Sequence, residues 1–259
     1  MELAILFWFY KEVDICENRL KLLKQYNPDL KIYGLYGGNV DEGNAYQNRL
    51  GKYFDDLYFF EGSTDADWKW INGDLMILDW YTKRGKDLDW DSVAVIQWDM
   101  LVFDSILNQL SGIKKDQIFL SGVRKIDNEV ESQWSWTKVG NKERNNYLNF
   151  ITYAKEEYNF TNIPLASLFI LQVFPRIFFD KYLTVKNREI GMLEYKIPTY
   201  AKIFDISFYE KDIGVKWFGD EEKPLNAIPE EISKNYIEEQ INKKNGWRIF
   251  HPYYKKWLN

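Results

Sequence analysis

The chain begins with an apolar strand, an amphipathic helix and a second apolar strand, and this order limits the possible folds strongly. Residues 3–10 form an apolar run that is typical of a buried strand. Apolar residues then recur at helical spacing over residues 13–23, until Asn27 and Pro28 end the helix. Residues 30–36 form the second apolar run. Such a β-α-β unit implies two parallel strands joined by a right-handed crossover.

The alternation of strands and helices continues beyond this unit. We expect a strand over residues 57–60, a helix over residues 68–83 and a strand over residues 93–103. This pattern predicts an α/β fold with a Rossmann-like mixed sheet that is mostly parallel and flanked by helices. The second half is less regular: we expect strands over residues 117–123 and 168–173, helices over 145–158, 175–182, 189–204 and 229–244, and an irregular polar segment over 128–144. Pro198 should interrupt or start the helix over residues 189–204.

Composition excludes several classes of protein. The formal net charge is −5, from 34 basic and 39 acidic residues, which provides no basic field for nucleic acid. Cys16 is the only cysteine, so neither an internal disulfide nor a cysteine zinc cluster can form, and a reducing compartment fits. The apolar run over residues 3–10 lacks a basic segment before it, and no apolar run is long enough to cross a bilayer. We therefore expect a cytoplasmic protein with no transmembrane segment.

The strand over residues 93–103 breaks at a polar triplet, Gln97, Trp98 and Asp99. Parallel strands of an open α/β sheet present their carboxyl ends at one edge, where ligands bind. A carboxylate at this edge can hold a divalent cation, which in turn binds a charged substrate. The alternative interpretation is that Asp99 caps a helix starting at Met100.

The β-α-β opening, followed by a strand that ends in Gln97, Trp98 and Asp99, resembles the GT-A glycosyltransferases, whose corresponding strand ends in an Asp-x-Asp motif. The resemblance covers roughly residues 1–110, and the chain departs from the motif at Gln97, where the family has its first acid. It implies a single GT-A-like domain over residues 1–259. Residues 1–110 would bind the nucleotide sugar, and residues 111–259 would bind the acceptor and supply a C-terminal metal and phosphate tail.

The resemblance also implies a site for Mn²⁺ or Mg²⁺. Asp99 would be one ligand and His251, the only histidine, would be a second, with Lys255 or Lys256 on the diphosphate. The glycine that usually separates such residues is missing here. A lone histidine is equally consistent with an ordinary hydrogen-bonded or surface residue.

A catalytic base is implied in the second half of the chain. In inverting members of the family, a carboxylate at the start of a late helix deprotonates the acceptor hydroxyl, and Glu194 resembles that residue. The alternative is a solvated acid on a helix.

Donor contacts are implied at the ends of the first two strands and along the motif strand. The predicted substrate-binding residues are Phe9, Tyr10, Tyr36, Gly37, Gly38, Asp74, Gln97, Trp98 and Lys255. Trp134 and Trp136 are candidates for stacking on an acceptor sugar, and a role in the core is an equally good interpretation.

Together these residues predict a metal-dependent glycosyltransferase. It would transfer a sugar from a UDP-sugar or GDP-sugar to a hydroxyl of a glycan or glycoconjugate, with inversion if Glu194 is the base. A carbohydrate-binding protein or degenerate transferase is the alternative, which Gln97 and the aromatic content of 18% favour. A nucleotidyltransferase is a further alternative, although its usual glycine-rich, basic N-terminal loop is missing from residues 7–12.

Overall fold

A computed structural model describes residues 1–258 of the chain. The strands are β1 (Leu3–Phe9), β2 (Ile32–Tyr36), β3 (Asp56–Phe59), β4 (Ser92–Gln97), β5 (Leu101–Val102), β6 (Phe119–Leu120), β7 (Arg124–Lys125), β8 (Leu165–Ala166), β9 (Gln172–Pro175), β10 (Val215–Lys216), β11 (Leu225–Asn226) and β12 (Ile249–Phe250). The helices are α1 (Val13–Tyr26), α2 (Gly43–Leu50), α3 (Ala66–Ile71), α4 (Gly73–Lys83), α5 (Ile106–Gln109), α6 (Asn128–Gln133), α7 (Arg144–Tyr158), α8 (Arg176–Tyr182), α9 (Leu193–Ile203) and α10 (Lys234–Asn242).

The central sheet has six strands in the order β3-β2-β1-β4-β9-β6. The first four run parallel, whereas β9 is antiparallel to both of its neighbours. Both halves of the chain therefore contribute strands to one sheet. The predicted α/β class, with a Rossmann-like and mostly parallel mixed sheet flanked by helices, is confirmed.

The side chains of β1 alternate between two hydrophobic cores, one on each face of the sheet. Ile5, Phe7 and Phe9 pack with the apolar face of α1. Leu6 and Trp8 point the other way, into the core formed with α4, α8 and α9. The two-residue period of the strand thus decides which side chains at its carboxyl end can face a ligand on a given side.

The C-terminal segment returns to the carboxyl edge of the sheet, where β12 pairs with β5 in antiparallel register. Arg19 of α1 is buried and its Nη2 donates to the carbonyl oxygens of Tyr253 and Lys255, at 2.8 and 2.7 Å. The Tyr253 amide in turn donates to the Asp99 carbonyl at 2.8 Å. These bonds hold the segment that carries His251 beside the end of β4.

The structure corrects several predicted boundaries. The helix expected over residues 68–83 is divided at Asn72 into α3 and α4, and the strand expected over residues 93–103 stops at Gln97. No helix begins at Met100, because residues 101–102 form β5, so the interpretation of Asp99 as a helix cap is wrong. The segment over residues 128–144 begins with a helix, α6, and Pro198 lies inside α9 rather than at its boundary.

Among residues 1–258, no helix combines the length and the hydrophobicity needed to cross a membrane.

Candidate functional site

A cleft lies at the carboxyl ends of β1, β2 and β4, between α3, α4 and α9, and contains three adjoining cavities. The glycine pocket, about 400 Å³, is lined by Gly37, Gly38 and Lys69, among others. The carboxylate pocket, about 360 Å³, contains Asp99 and Glu194. The lysine pocket is about 430 Å³ and contains Lys11 and Asp99. Residues shared between neighbouring pockets make the three cavities one continuous cleft: Trp8, Tyr10, Trp70 and Gln97 between the first two, and Tyr10, Asp99, Pro229 and Tyr254 between the last two.

A larger depression of about 850 Å³ lies elsewhere, between α4 and the loop after α8. It is lined by none of the residues predicted from the sequence, and its charged side chains, such as Asp79 and Lys186, are on its surface. Its size alone does not make it a site, because convergent, buried polar groups define a binding cavity better than volume does.

Asp99 and His251 face each other in the carboxylate pocket. His251 Nε2 lies 3.4 Å from Asp99 Oδ1, and both side chains are largely buried. His251 Nδ1 lies 2.8 Å from the Asn226 carbonyl oxygen, an arrangement that assigns a proton to Nδ1 and, in the neutral ring, leaves the Nε2 lone pair for a ligand. The Asp99 Oδ1 atom is buried without a hydrogen-bond partner among the described residues. The structure therefore brings together Asp99 and His251, which are 152 positions apart in the sequence.

These two residues fit a hard divalent cation. A buried carboxylate oxygen without a donor and a histidine whose other nitrogen is fixed by a carbonyl are the features of a protein metal ligand set. Within residues 1–258, no group of three or more His, Cys, Asp or Glu side chains is placed to hold a metal ion. The remaining ligands of a cation here would have to come from substrate oxygens and water.

Glu194 lies in the first turn of α9 and lines the same pocket. Its Oε1 accepts a hydrogen bond from the Phe169 amide at 2.6 Å. Burial raises the pKa of Glu194 to about 7, an effect that the Phe169 amide, Trp136 and His251 only partly oppose. A carboxyl group with this pKa can act as a proton acceptor near neutral pH.

Gln97 stands at the end of β4, between the glycine pocket and the carboxylate pocket. Its Nε2 donates to the Phe169 carbonyl oxygen at 2.5 Å. An aspartate at this position could not make this bond as a carboxylate, since it has no proton to donate. The departure from the Asp-x-Asp pattern thus has a structural role in this chain.

The glycine pocket is built where the backbone comes close to large side chains. A Cβ atom at Gly37 would collide with Met76 and crowd the Trp8 indole, and one at Gly38 would collide with Tyr36 and the Tyr10 carbonyl. The absence of side chains at Gly37 and Gly38 therefore keeps this end of the cleft open, as the turn predicted from the sequence requires.

Two lysines of the cleft were missed by sequence reasoning. Lys69 Nζ donates to the Gly37 carbonyl oxygen at 2.8 Å, and burial lowers the pKa of Lys69. Lys11 Nζ lies 5.0 Å from the centroid of the Trp98 ring, in the lysine pocket. Lys11 directly follows the apolar run over residues 3–10, and this position at the end of a predicted strand could have identified it as a residue of the cleft.

The predicted phosphate residue, Lys255, needs a correction. Its ammonium group is exposed and pairs with Glu231 at 2.6 Å, and it lines none of the three cavities. The contribution of Lys255 comes from its backbone, because its carbonyl oxygen accepts a hydrogen bond from Arg19 and so helps to hold the C-terminal segment. Lys256 also points away and pairs with Asp14 at 3.2 Å.

Phe9 and Tyr36 are also corrected. Both are fully buried in the core on the α1 side, where their rings lie 5.3 Å apart. The alternation of side chains along β1 places Trp8 and Tyr10, not Phe9, in the cleft. Because residues two positions apart on a strand face the same side, Trp8 could have been predicted to lie in the cleft together with Tyr10.

Asp74 does not line the cleft either. It is buried in the first turn of α4, where it pairs with Lys196 of α9 at 2.9 Å and accepts a hydrogen bond from Tyr182. Lys196 also donates to the Arg188 carbonyl oxygen at 2.8 Å. Asp74 therefore joins α4 to α9 inside the protein instead of contacting a nucleotide.

The tryptophans singled out in the sequence have different surroundings in the structure. Trp134 packs against Tyr195 and Trp217 in the core, whereas Trp98 lines the lysine pocket and stacks on Tyr254, with ring centroids 5.9 Å apart. Trp136 is buried beside Glu194, and its ring centroid is 4.9 Å from that of Trp70. Trp70 itself is 63% exposed and lines both the glycine and the carboxylate pockets.

Comparison with known proteins gives similarity only to solved structures. No protein-family model matches the chain, and no curated protein sequence matches it. The solved structures include the galactosyltransferase LgtC in complex with donor and acceptor sugar analogues, at 16% identity and a TM-score of 0.40, over 79% of this chain and 72% of that chain. An active-site mutant of LgtC matches at 14% identity and a TM-score of 0.41, over 79% and 72%. A cytidylyltransferase from Leptospira borgpetersenii serovar Hardjo-bovis matches at 11% identity and a TM-score of 0.42, over 82% and 77%. All three similarities are distant, with sequence identities below 25% and TM-scores below 0.5.

Proposed function

We propose that this protein is a glycosyltransferase that transfers a sugar from a nucleotide-diphosphate sugar to a hydroxyl of a glycan-type acceptor. The observation that supports this best is the meeting of Asp99, His251 and Glu194 around one cavity at the carboxyl edge of parallel strands. In this proposal a candidate cation site and a candidate base share one cavity of about 360 Å³. The carboxyl edge of a parallel sheet is also where folds of this class bind nucleotides.

The glycine pocket is the candidate place for the nucleoside. Its lining is mostly apolar and aromatic, and its backbone approaches closely at Gly37 and Gly38. Lys69 at this pocket and Lys11 at the lysine pocket would supply positive charge near the diphosphate. Asp99 and His251 would hold Mn²⁺ or Mg²⁺, which would neutralise charge on the departing diphosphate as a Lewis acid.

Glu194 would act on the acceptor. Its carboxylate removes the proton from the acceptor hydroxyl as that oxygen bonds to the anomeric carbon. The bond between the anomeric carbon and the diphosphate oxygen breaks, and the nucleoside diphosphate leaves with the electron pair. Attack from the side opposite the leaving group gives an inverted product.

Trp70 would bind the acceptor sugar. Its exposed indole stands at the entrance of the carboxylate pocket, where Tyr10 and Ile228 are the other exposed apolar side chains. Indole rings bind the apolar faces of pyranose rings, and Trp136 supports Trp70 from below.

Substitution Trp70→Leu should therefore raise the acceptor KM roughly 3- to 10-fold, the range expected for the loss of one aromatic stacking contact. Initial rates at varied acceptor and saturating donor measure this effect. Trp68→Leu is the matched control, because Trp68 lies on the same helix and stacks on Phe60 outside the cleft. Equal acceptor KM values for the two variants would contradict the role of Trp70.

The candidate cation site is tested by calorimetric titration of UDP and GDP with and without Mn²⁺. We expect one of the two nucleotides to bind in a metal-dependent manner, and Asp99→Asn to weaken this binding at least ~10-fold. Asp116→Asn is the control, since Asp116 is an exposed acid outside the cleft. Binding of neither nucleotide, or unchanged binding in Asp99→Asn, would count against the proposal.

A screen of nucleotide sugars scored by nucleotide release then identifies the donor. Metal-dependent nucleotide binding without turnover of any donor would favour the alternative of a carbohydrate-binding or degenerate protein.

A further inference from the structure

A short segment, residues 167–171, lies between β8 and β9 in the chain and is hydrogen-bonded both to the end of β4 and to the start of α9. This bridge segment is fixed from the sheet side: the Leu168 amide donates to the Ser121 carbonyl at 3.0 Å, and the Leu171 amide donates to Ser121 Oγ at 3.0 Å. Ser121, Leu168 and Leu171 are buried, whereas Phe169 and Ile170 line the carboxylate pocket. The bridge segment is therefore anchored to the sheet by hydrogen bonds and forms part of the pocket wall.

Phe169, in the middle of the bridge segment, is bonded at both of its backbone polar groups to residues of the cleft. Its carbonyl oxygen accepts from Gln97 Nε2 at 2.5 Å, and its amide donates to Glu194 Oε1 at 2.6 Å. The Gln97 side chain and the Glu194 carboxylate are thus connected through one residue. Loss of the first bond would leave the backbone that carries the second donor without one of its hydrogen bonds.

Pro198 strengthens the same connection from the helix side. In a regular helix, the Glu194 carbonyl oxygen would accept from the amide of residue 198, but proline has no N–H. The Ser167 amide donates to this carbonyl instead, at 2.8 Å. The bridge segment therefore holds both the backbone and the side chain of Glu194.

We propose that Gln97 is a positioning residue, which fixes the Glu194 carboxylate in the carboxylate pocket through the backbone of Phe169. The inference rests on the proposed function, in which Glu194 is the base. It also explains the amide at the position where the family has an acid. A carboxylate at position 97 would place negative charge against the Phe169 carbonyl oxygen and push the bridge segment away from β4.

The variants Gln97→Leu and Gln97→Asp test this role. Each removes the donor to Phe169, and we expect kcat to fall at least ~10-fold with an unchanged donor dissociation constant. Loss of the Phe169 amide bond should also raise the pKa of Glu194, because that bond favours the charged form. The pH at which kcat reaches half its maximum should therefore move upward.

A second readout does not depend on activity. Carbon-13 NMR of protein labelled at the glutamate carboxyls, with the Glu194 signal assigned by Glu194→Gln, reports the titration of Glu194 directly. We expect a higher midpoint in both Gln97 variants. If Gln97→Leu does not fold, Gln97→Met, which nearly keeps the length of the side chain and adds no charge, should show the same upward shift.

Gln133→Leu is the matched control, because Gln133 is an exposed glutamine outside the cleft. The inference would be overturned if the titration of Glu194 were unshifted in the Gln97 variants. It would also be overturned if Gln97→Asp had higher activity and tighter metal-dependent donor binding than the wild type. The latter result would mean that position 97 works as the missing motif acid. A wild-type protein with no turnover would refute the proposed function instead, while the NMR titration would still decide whether Gln97 positions Glu194.

Discussion

Replacing Glu194 by glutamine should reduce the rate of sugar transfer by ~10²- to 10⁴-fold, the usual contribution of a general base. Glutamine keeps the shape of the side chain and can still accept the Phe169 amide, so the wall of the pocket should be preserved. Donor binding should therefore stay within about twofold of the wild type, a difference well below 1 kcal/mol. Rate measurements at saturating donor and calorimetric titration of the nucleotide separate the two effects.

The pH dependence of the wild-type rate provides a second test of the same residue. Because burial raises the pKa of Glu194 to about 7, only the form present above this pH carries the base. The rate should rise with pH through about 7 and then level off, and this limb should be missing from the residual rate of Glu194→Gln.

Two control measurements test whether a rate loss in Glu194→Gln is specific to this residue and is not caused by unfolding. Glu189→Gln changes an exposed acid shortly before α9 and should leave the rate unchanged. The thermal midpoint of Glu194→Gln at pH 8 should equal or exceed that of the wild type, because the folded protein disfavours the ionised carboxyl as pH rises through its raised pKa. A transfer rate close to that of the wild type, in a folded variant, would exclude Glu194 as the base.

Replacing Lys196 by methionine should lower the free energy of unfolding by ~3–5 kcal/mol. The Lys196 and Asp74 side chains are 0% and 2% exposed, and their charged atoms lie 2.9 Å apart. Removing the ammonium group leaves the Asp74 carboxylate buried without its counter-ion, and this uncompensated charge is the source of the destabilisation. Urea denaturation at pH 7, followed by tryptophan fluorescence, measures the change.

The matched control is Lys83→Met, which breaks an exposed pair with Asp79 on α4 and should change stability by less than ~1 kcal/mol. The double variant Asp74→Leu with Lys196→Met should recover part of the loss, since an apolar pair removes the unpaired charge. Equal losses in Lys196→Met and Lys83→Met would show that the buried pair contributes no more than a surface pair.

The sequence allowed the central part of the fold to be predicted because its signals are local. The apolar runs of β1, β2 and β4 and the amphipathic α1 each follow a period that can be counted along the chain. The position of Asp99 at the carboxyl edge follows from the parallel direction of these strands. The same logic predicted that Tyr10, Gly37 and Gly38 lie near the cleft.

The other contacts depend on packing between distant segments, which local patterns do not contain. His251 reaches Asp99 because Arg19 holds the C-terminal segment, and that bond involves the backbone rather than any motif. Lys255 was expected in the site, but its side chain points toward Glu231 because its backbone turns there. Trp70 lies on α3, just before the break between α3 and α4, which the continuous helical pattern of residues 68–83 did not reveal.

The Trp8 indole lines two of the three cavities of the cleft and packs closely against two glycines. A Cβ atom at Gly73 would collide with the outer edge of this ring, and one at Gly37 would crowd its nitrogen. The space around the Trp8 ring therefore depends on two positions that have no side chain, whereas the chemistry proposed for the cleft depends on Asp99, His251 and Glu194. Shape and reactivity can consequently change independently in this protein, so ligand size could be altered by evolution or engineering without replacing a polar group of the site.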